Sequence, residues 1–143
     1  MTNKTVFVDS SAWISFNVAS DTNYQRSVSI FSSFDLKTKA YISLFILNET
    51  ITKIRKILGQ EKASVLYSQF IKLEKEKSLI ILPVDRRVIE KSFKLLEQHP
   101  SPNTFSLTDA TNIIFCQEYK IPTLFTFDRD FKKLKIPQLN LIP

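Results

Sequence analysis

The sequence contains a single glycine, Gly59, among its 143 residues. Phosphate loops of the P-loop and dinucleotide-binding folds need several glycines, because the backbone must approach the phosphate closely, so these folds are excluded. Cys116 is the only cysteine, which excludes a disulfide within the chain and indicates a reducing compartment. The only histidine, His99, is interpreted as a loop residue rather than a general base.

Long apolar runs are also missing, since none approaches the roughly 20 residues that cross a bilayer. The segment MTNKTVFVDSS lacks the apolar core of a signal peptide, so we expect a cytoplasmic protein with no membrane partner. With 43% hydrophobic and 24% charged residues, the chain is expected to form one domain over residues 1–143. The net charge of +6 fits simple solubility, and it favours nucleic acid only if an acidic pocket is also present.

Short apolar segments alternate with longer helical patterns along the whole chain. Strands are predicted at 5–8, 40–43, 79–82, 123–126 and, more weakly, 139–142. Helices are predicted at 11–18, 22–35, 44–58, 60–77, 85–98 and 107–119. This alternation is typical of an α/β fold with a parallel sheet covered on both faces.

Four carboxylates stand where such a fold places the ends of its elements. Asp9 follows the first strand, Asp128 follows the fourth, Asp109 opens the helix at 107–119, and Glu49 lies within the helix at 44–58. Because parallel strands end at one edge of the sheet, these side chains can converge there. Clustered carboxylates raise one another's pKa unless a cation is present, so we expect a site for Mg²⁺ or Mn²⁺.

Two of these acids also have a structural explanation at a helix start. Asp9 can cap the helix that follows it, although Ser10 or Ser11 can take that role instead. Ser106 and Asp109 have the spacing of a capping box, and capping alone is the better explanation of Asp109. The carboxylate of Asp109 would still lie at the mouth of the helix.

The other two acids have alternatives as well. Asp128 can be a turn residue, but Asp130 serves that purpose equally, so Asp128 is assigned to the metal and Asp130 to support. A glutamate such as Glu49 is usually on a solvated helix face. Phe45 and Ile46 form an apolar flank beside it, which predicts a position at the edge of a pocket. An apolar stripe predicts the core face of this helix: Leu44, Leu47, Ile51, Ile54 and Leu58.

Three segments together resemble the PIN domain family of metal-dependent ribonucleases, particularly its VapC toxin branch. They are VFVDSSAW at 6–13, LTDATNIIFCQEYKIPTLFT at 107–126 and TFDRDFKKL at 126–134. The last is similar to the family's T-x-D-x-D-F-x-x-L ending. The resemblance implies a three-layer α/β/α fold whose five-stranded parallel sheet has the order 3-2-1-4-5. That order sets the first and fourth strands side by side, at the switch point where ligands bind.

The resemblance also implies roles for individual residues. The catalytic and metal-binding quartet would be Asp9, Glu49, Asp109 and Asp128, with Thr126 and Ser10 as accessory hydroxyls and Asp130 as a supporting acid. Arg129, Lys132 and Lys133 follow the site directly and are candidate contacts for RNA phosphates. For each of these three cations taken singly, an ordinary solvated basic face is the slightly better explanation.

The implied reaction is hydrolysis of an RNA phosphodiester with Mg²⁺ or Mn²⁺, leaving a 3′-hydroxyl and a 5′-phosphate. The implied partners are RNA, an antitoxin protein and a second copy of the chain. One alternative is a PIN-like RNA-binding or RNA-processing module that is catalytically weak and has no toxin role. A phosphotransfer domain is disfavoured because Ser11 occupies the position where its second aspartate would be needed. Cys116 lies in an apolar helix and is interpreted as a core residue.

Overall fold

The computed structural model describes residues 4–143, which form five strands and seven helices. In chain order these are β1 (Lys4–Val8), α1 (Ser10–Asn17), α2 (Tyr24–Ser32), β2 (Thr38–Ser43), α3 (Leu44–Leu58), α4 (Gln60–Lys75), β3 (Leu79–Leu82), α5 (Arg86–Gln98), α6 (Leu107–Glu118), β4 (Thr123–Phe125), α7 (Asp130–Lys133) and β5 (Asn140–Ile142). The predicted alternation of strands and helices is confirmed. None of the helices in the described part of the chain is long and apolar enough to span a bilayer.

The five strands form one parallel sheet in the order β3-β2-β1-β4-β5, which confirms the predicted topology. The chain winds outward from β1 to β3 and then crosses back to β4 on the other side of β1. In the register of β1 and β4, Phe7 pairs with Leu124 and Val8 pairs with Phe125. The switch point therefore lies between the carboxyl ends of β1 and β4, where a crevice is expected.

Aromatic side chains pack helices against both faces of the sheet. On one face Phe7 stacks on Phe115 of α6, with ring centroids 6.1 Å apart. On the other face Phe125 meets Phe31 of α2 at 5.0 Å, and Phe31 continues to Trp13 of α1 at 4.9 Å. Burying one such side chain contributes roughly 1.5–3 kcal/mol. The core therefore holds the ends of β1 and β4 and the start of α1 in fixed relative positions.

The predicted core stripe of α3 is confirmed at Ile54 and in part at Leu47 and Ile51, but it is wrong at the two ends of the helix. The buried residues are Ile46, Thr50 and Ile54, and they recur every four residues. Leu44 and Leu58 were predicted to be buried, but they are 47% and 39% exposed because they lie at the two ends of the helix. Leu47 and Ile51 pack against the edge of the core instead. The face that meets the sheet thus lies directly beside Glu49.

Gly59 separates α3 from α4, and the backbone conformation at this position favours a glycine. Its φ is +94°, a left-handed conformation that side chains rarely adopt. Its backbone N–H donates to the carbonyl oxygen of Arg55, so the glycine ends α3 as α4 begins.

Candidate active site

Asp9 is the most deeply buried of the four predicted acids. It directly follows β1 and occupies the N-cap position of α1, yet its side chain makes no capping hydrogen bond. The residue is 3% exposed. Burial raises the pKa of its carboxyl, and the negative charge of Glu49 adds to the rise, whereas hydrogen bonds from Thr126 and Ser11 oppose it. The side chain of Asp9 is thus buried at the start of α1 without capping the helix.

Two hydroxyl groups hold one oxygen of this carboxylate. Thr126 Oγ1 donates to Asp9 Oδ2 at 2.8 Å, and Ser11 Oγ donates to the same oxygen at 2.9 Å. Ser11 Oγ also accepts from the backbone N–H of Phe127 at 3.0 Å. The hydroxyls therefore tie the end of β1 to the segment after β4. Thr126 was expected near the site, but Ser11 was considered only as a possible helix cap.

Asn112 holds the other oxygen and was missed by the sequence analysis. It is fully buried in α6, and its Nδ2 donates to Asp9 Oδ1 at 3.1 Å. Its own Oδ1 has no hydrogen-bond partner within residues 4–143. Asn112 lies three residues after Asp109, one helical turn deeper on the same face. That spacing is the signal that could have identified it.

Asp109 combines a structural role with a position in the acid cluster. Its Oδ2 accepts from the backbone N–H of Ser106 at 2.9 Å, and its own N–H donates to Ser106 Oγ at 3.0 Å, so the predicted capping box is formed. Burial raises the pKa of Asp109 to about 6, and the charges of Asp9 and Asp128 add to the rise. Capping and clustering are thus compatible in this residue.

Glu49 reaches the cluster from α3. Its Oε1 accepts a hydrogen bond from Ser10 Oγ at the start of α1. The half-buried side chain lies close enough for its charge to raise the pKa of Asp9. The structure therefore brings Ser10 and Glu49 together beside Asp9, although they come from different helices.

In the turn before α7, Asp128 takes the role that was expected of Asp130. Asp128 Oδ1 accepts from the backbone N–H of Asp130 at 2.9 Å, so Asp128 itself stabilises the turn into α7. The backbone N–H of Asp128 donates to Thr126 Oγ1 at 3.0 Å. Asp130 instead accepts from Thr104 Oγ1 at 2.6 Å and pairs with Lys133 at 3.4 Å. Asp130 thus links α7 to the loop before α6 and does not join the four acids.

The three predicted RNA-contacting cations lie on the solvent side of α7. Arg129, Lys132 and Lys133 are exposed, and Lys133 is engaged with Asp130. Cys116 is buried, as predicted, and burial raises the pKa of its thiol to about 12, which removes it as a nucleophile at neutral pH.

A divalent cation fits this set of residues by charge and by ligand type. The ion pairs found among residues 4–143 involve Glu90, Glu118 and Asp130, so no basic side chain there neutralises the quartet. The four carboxylates and the neighbouring hydroxyl groups offer oxygen atoms, the ligands that Mg²⁺ and Mn²⁺ prefer. Over the same residues, however, no three acidic, histidine or cysteine side chains are already arranged to hold a metal.

Three of the four acids are only partly engaged in hydrogen bonds with the protein. Glu49, Asp109 and Asp128 each have one carboxylate oxygen engaged by the protein. The second oxygen of each has no hydrogen-bond partner in the described residues and is available to a ligand.

Comparison with known proteins agrees with this geometry. The sequence matches the model of the PIN domain family over residues 6–137, which is most of the chain. No curated protein sequence matches it.

Several solved structures share the fold at low sequence identity. VapC20 of Mycobacterium tuberculosis, described as a sarcin–ricin loop cleaving toxin, is 22% identical with a TM-score of 0.78, covering 94% of this chain and 98% of its own. A toxin–antitoxin complex from Klebsiella pneumoniae is 16% identical with a TM-score of 0.66, covering 96% of each chain. VapBC2 of Rickettsia felis, bound to a promoter DNA fragment, is 18% identical with a TM-score of 0.65, covering 96% of this chain and 97% of the other.

Proposed function

The chain belongs to the PIN domain family, and we propose that it is an endoribonuclease that hydrolyses RNA phosphodiesters with Mg²⁺ or Mn²⁺. The observation that carries this proposal is the state of Asp9. A buried carboxylate is fixed by three side-chain donors, its charge interacts with those of Glu49 and Asp109, and no ion pair of the described residues compensates for them. A binding site for a divalent cation explains this costly arrangement better than a purely structural role does.

Glu49, Asp109 and Asp128, together with Asp9, would hold the cation. When bound, it supplies Lewis acidity, which makes water a stronger acid and offsets the charge that develops on the scissile phosphate. Thr126, Ser11 and Asn112 fix the Asp9 carboxylate, so no reorganisation of this group is needed during the reaction. The remaining acids each offer a free oxygen from an otherwise anchored side chain.

RNA is the proposed substrate because the exterior is basic around an acidic centre. The net charge is +6 although four acids are gathered in one place. Arg129 and Lys132 are exposed, follow Asp128 closely in sequence, and would contact phosphates that flank the cleaved bond. We further propose that the chain is the toxin of a toxin–antitoxin pair, that an antitoxin blocks the crevice, and that the toxin is a homodimer. Similar structures include toxin–antitoxin complexes.

Cleavage assays with matched variants test the nuclease proposal. The purified chain should cut labelled single-stranded RNA in Mg²⁺ or Mn²⁺ and lose that activity in a chelator. Asp9→Asn and Asp128→Asn should abolish cleavage while RNA binding remains, whereas Asp85→Asn, at the distant start of α5, should behave as the unmodified chain. Metal-independent cleavage, or full activity of Asp9→Asn, would refute the proposal.

A PIN-like RNA-binding module without cleavage is the second candidate. It is favoured by the absence of three prearranged metal-ligating side chains within residues 4–143. In the same assay this module would bind RNA equally with and without metal and would never cut it. Expression in a bacterium separates the toxin role: growth should stop with the unmodified chain and continue with Asp9→Asn.

A further inference from the structure

A shallow groove lies beside the acid cluster on the outer face of α3. Its volume is about 360 Å³, at the lower end of the range for ligand sites. One end is formed by Glu49 of the acid cluster and by Thr108, which directly precedes Asp109. The rest is lined by Phe45, Asn48, Thr52 and Lys53. These α3 residues recur at helical spacing and form one face, adjacent to the face that packs on the sheet.

Lys53 is positioned as an unpaired cation in this groove. Glu49 precedes it by four residues, which is the favourable arrangement for an ion pair on a helix. The Glu49 carboxylate turns instead to Ser10 Oγ, and Lys53 has no acidic partner within 4 Å in the described residues. The exposed ammonium group is therefore available to an anion bound next to the acid cluster.

The other lining residues offer groups that a nucleotide uses. Phe45 is a half-buried aromatic ring, and bases stack on such rings in single-stranded RNA recognition. The side chains of Asn48, Thr52 and Thr108 form no hydrogen bond within residues 4–143, so their polar atoms are free to meet base edges and the 2′-hydroxyl.

We propose that this groove binds the nucleotide adjacent to the scissile phosphate. Its base would lie against Phe45, and its other phosphate, which is not cleaved, would lie at Lys53. The inference rests on the proposed nuclease function, because the acid cluster defines which phosphate is cut. It adds to that function a path for the RNA strand along α3, which is separate from a path past the exposed cations of α7.

The test measures RNA affinity and cleavage in parallel. Fluorescence anisotropy with a labelled oligoribonucleotide gives the Kd in the inactive Asp128→Asn background, in Mg²⁺ and at several salt concentrations. Steady-state cleavage gives KM and kcat for the same groove variants in the active chain. Lys56→Ala is the matched control for Lys53→Ala, since Lys56 is exposed on the same helix and does not line the groove. Phe93→Ala, at an exposed ring of α5, is the control for Phe45→Ala.

Lys53→Ala should weaken RNA binding about threefold to tenfold and lower the slope of log K against log salt by about 0.7, the value for one phosphate contact on a single strand. Lys53→Arg should restore most of the affinity. Phe45→Ala should weaken binding about tenfold or more without changing the salt slope, and Phe45→Leu provides a variant with a smaller effect on packing. KM should rise in both alanine variants while kcat changes little, and a DNA oligonucleotide should bind more weakly than RNA.

The two proposals fail separately in this design. If the unmodified chain cleaves RNA but Lys53→Ala and Phe45→Leu match their controls, the groove is not a nucleotide subsite and the nuclease proposal stands. If the unmodified chain binds RNA through Lys53 without cutting it in any divalent metal, the nuclease function fails and the groove remains as a binding site. If the chain does not bind RNA, both proposals are overturned.

Discussion

Replacing Asp109 by asparagine should make the metal-free protein more stable while it removes the activity. The substitution deletes one negative charge from a site where burial, and to a smaller extent the charges of Asp9 and Asp128, raise the pKa of Asp109. The asparagine side chain keeps an oxygen that can accept from the backbone N–H of Ser106. The backbone N–H of residue 109 still donates to Ser106 Oγ. The capping box is therefore preserved, and the change isolates the electrostatic cost.

The size of the effect follows from the pKa of this group. The pKa of Asp109 rises from 3.8 to about 6, which corresponds to roughly 3 kcal/mol of destabilisation once the group is ionised in the folded and unfolded states. Asp109 is partly exposed, so solvent screening reduces the expected gain of the variant to about 1–2 kcal/mol at pH 8. For a chain of this length, such a gain raises the Tm by about 3–8 °C.

The sign of the pH dependence is fixed by the direction of the shift. Below the unfolded pKa of 3.8 the carboxyl is protonated in both states and contributes no penalty. Between pH 3.8 and about 6 the carboxyl of Asp109 ionises in the unfolded state but stays largely protonated in the folded state. The folded protein with Asp109 therefore loses stability over this range. The advantage of Asp109→Asn should therefore be large at pH 8 and small at pH 4.5.

Urea unfolding in a chelator at these two pH values checks the prediction. Asp85→Asn is the matched control, because Asp85 also accepts a capping hydrogen bond at a helix start, from the backbone N–H of Val88 in α5, and lies outside the acid cluster. Adding Mn²⁺ should then stabilise the unmodified chain more than Asp109→Asn, which has lost a ligand. A variant less stable than the unmodified chain at pH 8, or a gain that is equal at both pH values, would refute the reasoning.

Three further predictions concern other parts of the molecule. Thr126→Val should cost about 1–3 kcal/mol in urea unfolding and strongly reduce cleavage, since Asp9 loses a buried donor, whereas Thr126→Ser should restore both. Glu118→Gln should cost less than about 1 kcal/mol at pH 7, because a partly exposed link to two basic side chains of α5 is lost. Since those cations lower the pKa of Glu118 to about 2, the difference should shrink as the pH falls from 4.5 towards 2. Cys116 should resist thiol reagents at pH 8 in the native protein and react once urea unfolds the chain, because burial raises its pKa to about 12.

The sequence was sufficient to predict where Asp9 and Asp128 lie because both positions depend on topology. A parallel sheet of order 3-2-1-4-5 sets the ends of β1 and β4 side by side, with Asp9 directly after β1 and Asp128 three residues after the end of β4. Asp109 was predicted on the same basis, since α6 begins at this edge, and the capping box supplied a second, local reason for its position.

Ser11 and Asn112 were not predicted as site residues because their roles depend on side-chain direction over long sequence separations. Ser11 meets Thr126 across 115 residues, and Asn112 meets Asp9 across 103. Neither contact leaves a local pattern, and both residue types have common explanations at helix starts or on helix surfaces. The ends of the core stripe of α3 were misjudged for a related reason: Leu44 and Leu58 are exposed, whereas Ile46 from the second apolar flank is buried together with Ile54.

The hydrogen bonds divide the quartet into one fixed acid and three adjustable ones, and this division bears on how the site would work. Both oxygens of Asp9 are held by side chains from β4's end, α1 and α6, whereas the other three carboxylates each keep one unengaged oxygen. Under the proposed function, Asp9 would fix the position of the cation, and Glu49, Asp109 and Asp128 would supply further oxygens. Substitution of an anchoring residue such as Asn112 should then weaken metal binding even though Asn112 itself carries no charge. Because folded proteins are stable by only about 5–15 kcal/mol, the repulsion within the cluster is a sizeable cost that the surrounding aromatic core must offset.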